Sequence, residues 1–182
     1  MGVNWRWIRG GFGNNSGDWC SCRYMTPILT ARDFLNTLPK VSNYISLPNQ
    51  LKADPKRLRR EFLGIATDPK ERFDFRTRSL MLLSLHSEEL DVCTSSEVVE
   101  ALMTAFKKEF PSEKLDSIAS KMRSEDCHPD GFLAYLFCIA FAKLGPANTQ
   151  ESIHAVQKAL KGTSLEATLT KHLETIKRKR NS

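Results

Sequence analysis

Pro129-Asp130-Gly131-Phe132-Leu133-Ala134-Tyr135-Leu136-Phe137-Cys138-Ile139-Ala140-Phe141-Ala142-Lys143-Leu144 decides the fold. Pro129 suits a first helical turn, where the missing N–H has no partner to lose. Gly145-Pro146 is a strong stop, a residue tolerant of the left-handed region followed by one that cannot extend a helix. At about 100° per residue, Phe132, Leu133, Leu136, Phe137, Ile139, Phe141 and Leu144 leave no polar face, so other helices are expected all round it. The run is too short for an easy bilayer crossing, and Lys143 interrupts it.

The flanking segments supply those helices. On the C-terminal side, Asn148 or Thr149 is placed to cap a helix with Ile153, Val156 and Leu160 inward and Gly162 as its stop. Thr163 or Ser164 opens a last helix with Leu165, Leu169, Leu173 and Ile176 on one side, running out into Lys177-Arg178-Lys179-Arg180. Cations there suit the negative end of a helix dipole. On the N-terminal side, Leu115, Ile118, Ala119 and Met122 follow the i, i+3, i+4, i+7 rule after Ser112. Val98, Val99, Leu102, Met103 and Phe106 share one face of a helix that Pro111 ends. Asp54-Pro55-Lys56 and Asp68-Pro69-Lys70 each read as a helix start, an N-cap acid before proline. Gly64 reads as the end of the first of these helices. Thr30 can cap a short helix carrying Phe34, Leu35 and Leu38.

The expected fold is therefore all-α: a compact bundle of seven or eight helices around a buried helix at about 129–144, with a loosely ordered N-terminal arm. Residues 1–27 form the arm, 28–177 one helical domain and 178–182 a basic tail. The arm holds all three tryptophans and five of the nine glycines and has no sustained period. The whole chain has 182 residues, 41% of them hydrophobic and 26% charged, which is ordinary for one globular domain. Its five cysteines, an odd number with no secretory leader, point to a reducing intracellular setting, nucleus or cytoplasm.

Charge gives the functional lead. Lys and Arg number 27 against 21 Asp and Glu, a formal net charge of +6, which favours anionic partners. Lys52, Lys56, Arg57, Arg59 and Arg60 stand against Asp54 alone in one short stretch. Lys56 and Arg60 are i, i+4 neighbours on a helix, while Leu58 and Phe62 fall on a separate stripe. A guanidinium-rich face of this kind suits bidentate phosphate contact and affinity through counterion release. In the arm, Trp5-Arg6-Trp7-Ile8-Arg9 interleaves aromatic planes with cations, as single-strand binders do. Lys177, Arg178, Lys179 and Arg180 add a third cluster. Each cluster also has a plainer reading, as a solvated helix face, packed tryptophans or a solubilising end.

Catalytic and metal signatures are weak. Cys20-Ser21-Cys22 with Cys127 and His128 lacks the spacing of structural zinc pairs, so neither a metal nor another cofactor is expected. Cys138 reads as a core thiol and His128-Pro129-Asp130 as a helix start. His86, His154 and His172 are isolated. There is no P-loop, GxGxxG, nucleophile elbow or HExxH. The expectation is a non-enzymatic nucleic-acid-binding helical protein, RNA ahead of DNA, that regulates, packages or sequesters its ligand. The alternatives are a protein–protein interaction module, with an acidic protein as partner, and a peripheral membrane protein. Self-association stays open.

Overall fold

The structure, a computed structural model, describes residues 30–38, 47–92, 96–124, 128–145 and 149–181. These residues form α1 (Ala31–Thr37), α2 (Asn49–Lys52), α3 (Pro55–Thr67), α4 (Phe73–Leu85), α5 (Ser96–Glu109), α6 (Ser112–Ser124), α7 (Pro129–Leu144), α8 (Gln150–Ala159) and α9 (Glu166–Asn181). No strand occurs among the described residues, and α2 is a single turn. The chain is an all-α bundle.

The central helix is α7. It starts on Pro129 and ends at Gly145, which takes φ +73° and donates its N–H to the Phe141 carbonyl at 2.9 Å. Helices α4, α5, α6, α8 and α9 all pack on it. Phe137, Cys138, Ala140 and Phe141 are fully shielded from solvent. The enclosure is not quite complete. Phe132, Ile139 and Lys143 are half-buried and lie on one stripe at helical spacing, so α7 keeps a narrow open line. Phe106 of α5 meets the Phe141 ring edge-on at 5.5 Å and 88°, and Phe110 meets Phe137 at 6.1 Å and 70°. Such pairs add about 0.5–1.5 kcal/mol each beyond the area they bury. Gly131 leaves room for the buried Met122 side chain of α6, since a Cβ there would meet its sulfur at 2.0 Å.

Amphipathic stripes face inward as the periodicity requires. Val98, Val99, Leu102, Met103 and Phe106 of α5, Leu115, Ile118, Ala119 and Met122 of α6, and Ile153, Val156 and Leu160 at α8 are buried. Helix α9 is more loosely seated. Leu169 is buried, whereas Leu165, Leu173 and Ile176 are half-covered. Its polar anchor is His172, whose Nδ1 lies 2.5 Å from the Tyr135 hydroxyl of α7. Burial pushes the Tyr135 pKa up.

Two local expectations are corrected. Gly64 does not end α3, which continues to Thr67 because Gly64 keeps a negative φ and its carbonyl accepts from Asp68 N–H at 3.1 Å. Asp68-Pro69-Lys70 does not start a helix. The Asp68 carboxylate accepts from Lys70 N–H at 2.9 Å, closing a tight turn instead, and α4 begins at Phe73. There Arg72 grips Asp74 at 2.8 and 3.1 Å and lies over the Phe75 ring at 4.5 Å. One turn on, Arg76 is buried and ties three helices together: it forks onto the Glu109 carboxylate of α5, one arm at 2.8 Å, and reaches the Ala66 carbonyl of α3 at 3.3 Å.

Candidate nucleic-acid interface

The stretch from Lys52 to Arg60 divides into engaged and outward-facing cations. Asp54 caps α3, its carboxylate accepting from Arg57 N–H at 3.0 Å, and Pro55 follows it at the first helical position. Leu58 and Phe62 are buried against the bundle. Arg59 stands i, i+3 from Phe62 and i, i+7 from Ala66, so it borders the buried stripe, and its side chain is only 13% exposed. It donates to the Asp91 carbonyl and lies 3.5 Å from the Asp91 carboxylate. Arg57 pairs with Glu61 at 3.3 Å, and Glu61 also accepts from Ala31 N–H at 2.6 Å, tying α1 to α3. Lys52, at the end of α2, pairs with Glu89 at 3.1 Å. Lys56 and Arg60 are exposed on α3, one turn apart. Arg60 borders a shallow cleft of about 460 Å³ that also includes Arg32, Asp68 and Glu71.

The turn between α4 and α5 is the counterpart of this basic stretch. Glu88 and Glu89 are exposed, and Asp91 takes φ +53°, a left-handed conformation that aspartate tolerates better than most residues. Leu90 and Val92 anchor the turn in the core. Its backbone closes through Leu90 N–H to His86 at 2.9 Å and Val92 N–H to Ser87 at 2.8 Å. His86 Nδ1 approaches Glu89 at 3.5 Å. Lys52, which hydrogen-bonds Glu89, holds that carboxyl below the usual range, with His86 adding to the effect.

The C-terminal cluster reaches the same turn. Lys177, Arg178 and Lys179 are exposed on α9, and Arg180 continues the helix. Arg178 lies 4.0 Å from Glu174, with 84% of its side chain in solvent. Lys179 lines a cleft of about 370 Å³ with Leu85, His86, Glu88, Glu89, Lys143 and Ile176. Lys143 of α7 donates to the Ser84 carbonyl at 3.1 Å. Lys52 and Lys179, from opposite ends of the domain in sequence, thus both come to the Glu88–Asp91 turn.

Trp5, Arg6, Trp7 and Arg9 lie outside the described residues, as do Cys20, Cys22 and Cys127. Among the described residues no group of three or more His, Cys, Asp or Glu side chains is placed to hold a metal. Cys138 is a buried thiol whose pKa is pushed up to about 12 by burial, far from the range of a reactive thiolate. Among the described residues no helix is long and apolar enough to cross a membrane. Sequence reading missed the role of the Glu88–Asp91 turn. Arg59 reads as part of the outward basic face; its i, i+3 spacing from Phe62 is the available signal against that, but no local rule pairs it with an acid on another connection.

No protein-family model matches the chain, and no curated protein or solved structure matches it either.

Proposed function

We propose that the chain is a non-enzymatic helical protein that binds nucleic acid, single-stranded RNA foremost, at one end of the bundle. The observation that carries this reading is the approach of Lys52 and Lys179 to the same turn, which makes two basic clusters distant in sequence neighbours in space. Lys56, Arg60, Lys177 and Arg178 are further exposed cations on the helices that carry these two clusters. Such contacts recognise phosphate rather than base, which suits regulation, packaging or sequestration more than sequence-specific control.

The test is fluorescence anisotropy of a labelled single-stranded RNA with the wild-type protein and with a variant carrying Lys56→Glu, Arg60→Glu, Lys177→Glu and Arg178→Glu. The variant should keep its circular dichroism spectrum and bind at least about tenfold more weakly. Equal affinity of the two folded proteins would overturn the assignment.

An interaction module is the second reading, and one observation favours it. Leu85 is 50% exposed and lies beside Ile176 in the cleft at the acidic turn. A protein partner docking there would lose affinity on Leu85→Asp, whereas phosphate contacts on α3 would be little affected.

A further inference from the structure

We infer that the Glu88–Asp91 turn is an autoinhibitory contact, holding within the molecule cations that a nucleic acid would otherwise bind. The inference rests on the nucleic-acid reading above and adds a regulatory element to it.

Three observations converge on the turn. Glu89 takes Lys52 at 3.1 Å, and Asp91 takes Arg59 through both its carbonyl and its carboxylate. Lys179 of α9 lines the same cleft as Glu88 and Glu89. So carboxylates within four consecutive positions engage cations from α2 and α3 and share a cleft with one from α9. The turn is also built to stay in place. Buried Leu90 and Val92 fix it from below, its backbone is closed by its own hydrogen bonds, and Arg59 grips it from the side.

A pair as exposed as Lys52–Glu89 is individually weak and does not lock its lysine away, whereas Arg59 is mostly enclosed and serves to hold the turn in place. The carboxylates set a threshold. A polyanion must displace several carboxylates before it gains the Lys52 and Lys179 contacts, and single phosphates are poor competitors. Neutralising the turn should remove the threshold and leave the bundle intact, since Asp91→Asn retains a residue that accepts the left-handed conformation.

Three proteins separate this inference from the reading it rests on: the wild type, the turn variant Glu88→Gln/Glu89→Gln/Asp91→Asn, and a control variant, Glu97→Gln/Glu100→Gln/Asp116→Asn. The control neutralises three exposed acids on α5 and α6 and changes net charge equally. Each is titrated into labelled single-stranded RNA across a salt series, after its melting temperature has been checked. The turn variant should bind about tenfold tighter than the wild type, with a log affinity against log salt slope steeper by roughly 1.4 for two further contacts, while the control gains far less. Equal gains by both variants would overturn the inference, because net charge alone would explain them. An unchanged turn variant beside a binding wild type would overturn it and leave the function standing. Failure of all three proteins to bind would overturn the function and the inference together.

Discussion

Arg59 and Arg76 show how little a single arginine's type says about its task. Arg59 reads as one of a row of phosphate ligands, yet its position beside the Phe62 stripe turns it toward Asp91. Arg76 carried no signal at all. Its partner Glu109 lies on another helix, and no periodicity links the two. The Arg76 side chain is 6% exposed and that of Glu109 14%, so breaking the pair leaves a charge with little access to water. Glu109→Ala should cost about 3–5 kcal/mol in urea unfolding, and the double replacement Arg76→Met/Glu109→Leu markedly less. A small loss on Glu109→Ala would show that water reaches the guanidinium. Glu71 and Glu89 have folded-state pKa values lowered by Arg32 and Lys52 respectively. Their stabilisation is complete above the unfolded value of 4.5 and is lost as pH falls through the lower folded values. Melting temperature should therefore hold steady from neutral pH to about 5 and fall below about 4.5. Glu71→Gln should make that acid limb shallower, and an unchanged limb would count against the Arg32 pairing.

At the level of helices, legibility followed the strength of the period. Helices α5, α6 and α8 carry stripes that leave one reading, and their inward residues are buried as expected. The second Asp-Pro was ambiguous, because aspartate before proline serves a helix start at Asp54 and a tight turn at Asp68. What decided between them was the side-chain bond from Lys70 N–H and the Arg72–Asp74–Phe75 cluster that follows, neither of which has a periodic signature. Glycine was likewise overread at position 64. A Cβ there meets nothing within 4 Å, and the backbone is helical. Gly64→Ala should thus raise stability by about 0.5–1 kcal/mol, read as a higher melting temperature. Gly131→Ala should do the opposite, because the added methyl drives into buried Met122. A stabilised Gly131→Ala protein would mean that Met122 can move aside at no cost.

Across the whole molecule, the core was legible and the surface was not. A helix with apolar residues on every side requires neighbours on nearly every side, and α7 has them. Phe137→Asp places a charge at a position with no solvent exposure and should abolish the cooperative unfolding transition. Surface charge obeys no such rule. Composition gives the sum of cations, but which of them face acids depends on turns brought together from distant parts of the chain, as Lys52 and Lys179 are at Glu88–Asp91. Some cations, Lys52 and Arg59 among them, are engaged by acids from within, while Lys56, Arg60 and Lys177 are exposed on their helices. The most direct measurement is the wild-type protein's affinity for labelled single-stranded RNA across a salt series. Four to six phosphate contacts correspond to a log affinity against log salt slope of roughly −3 to −4. A slope near zero, or no binding by micromolar protein at low salt, would contradict a nucleic-acid-binding role.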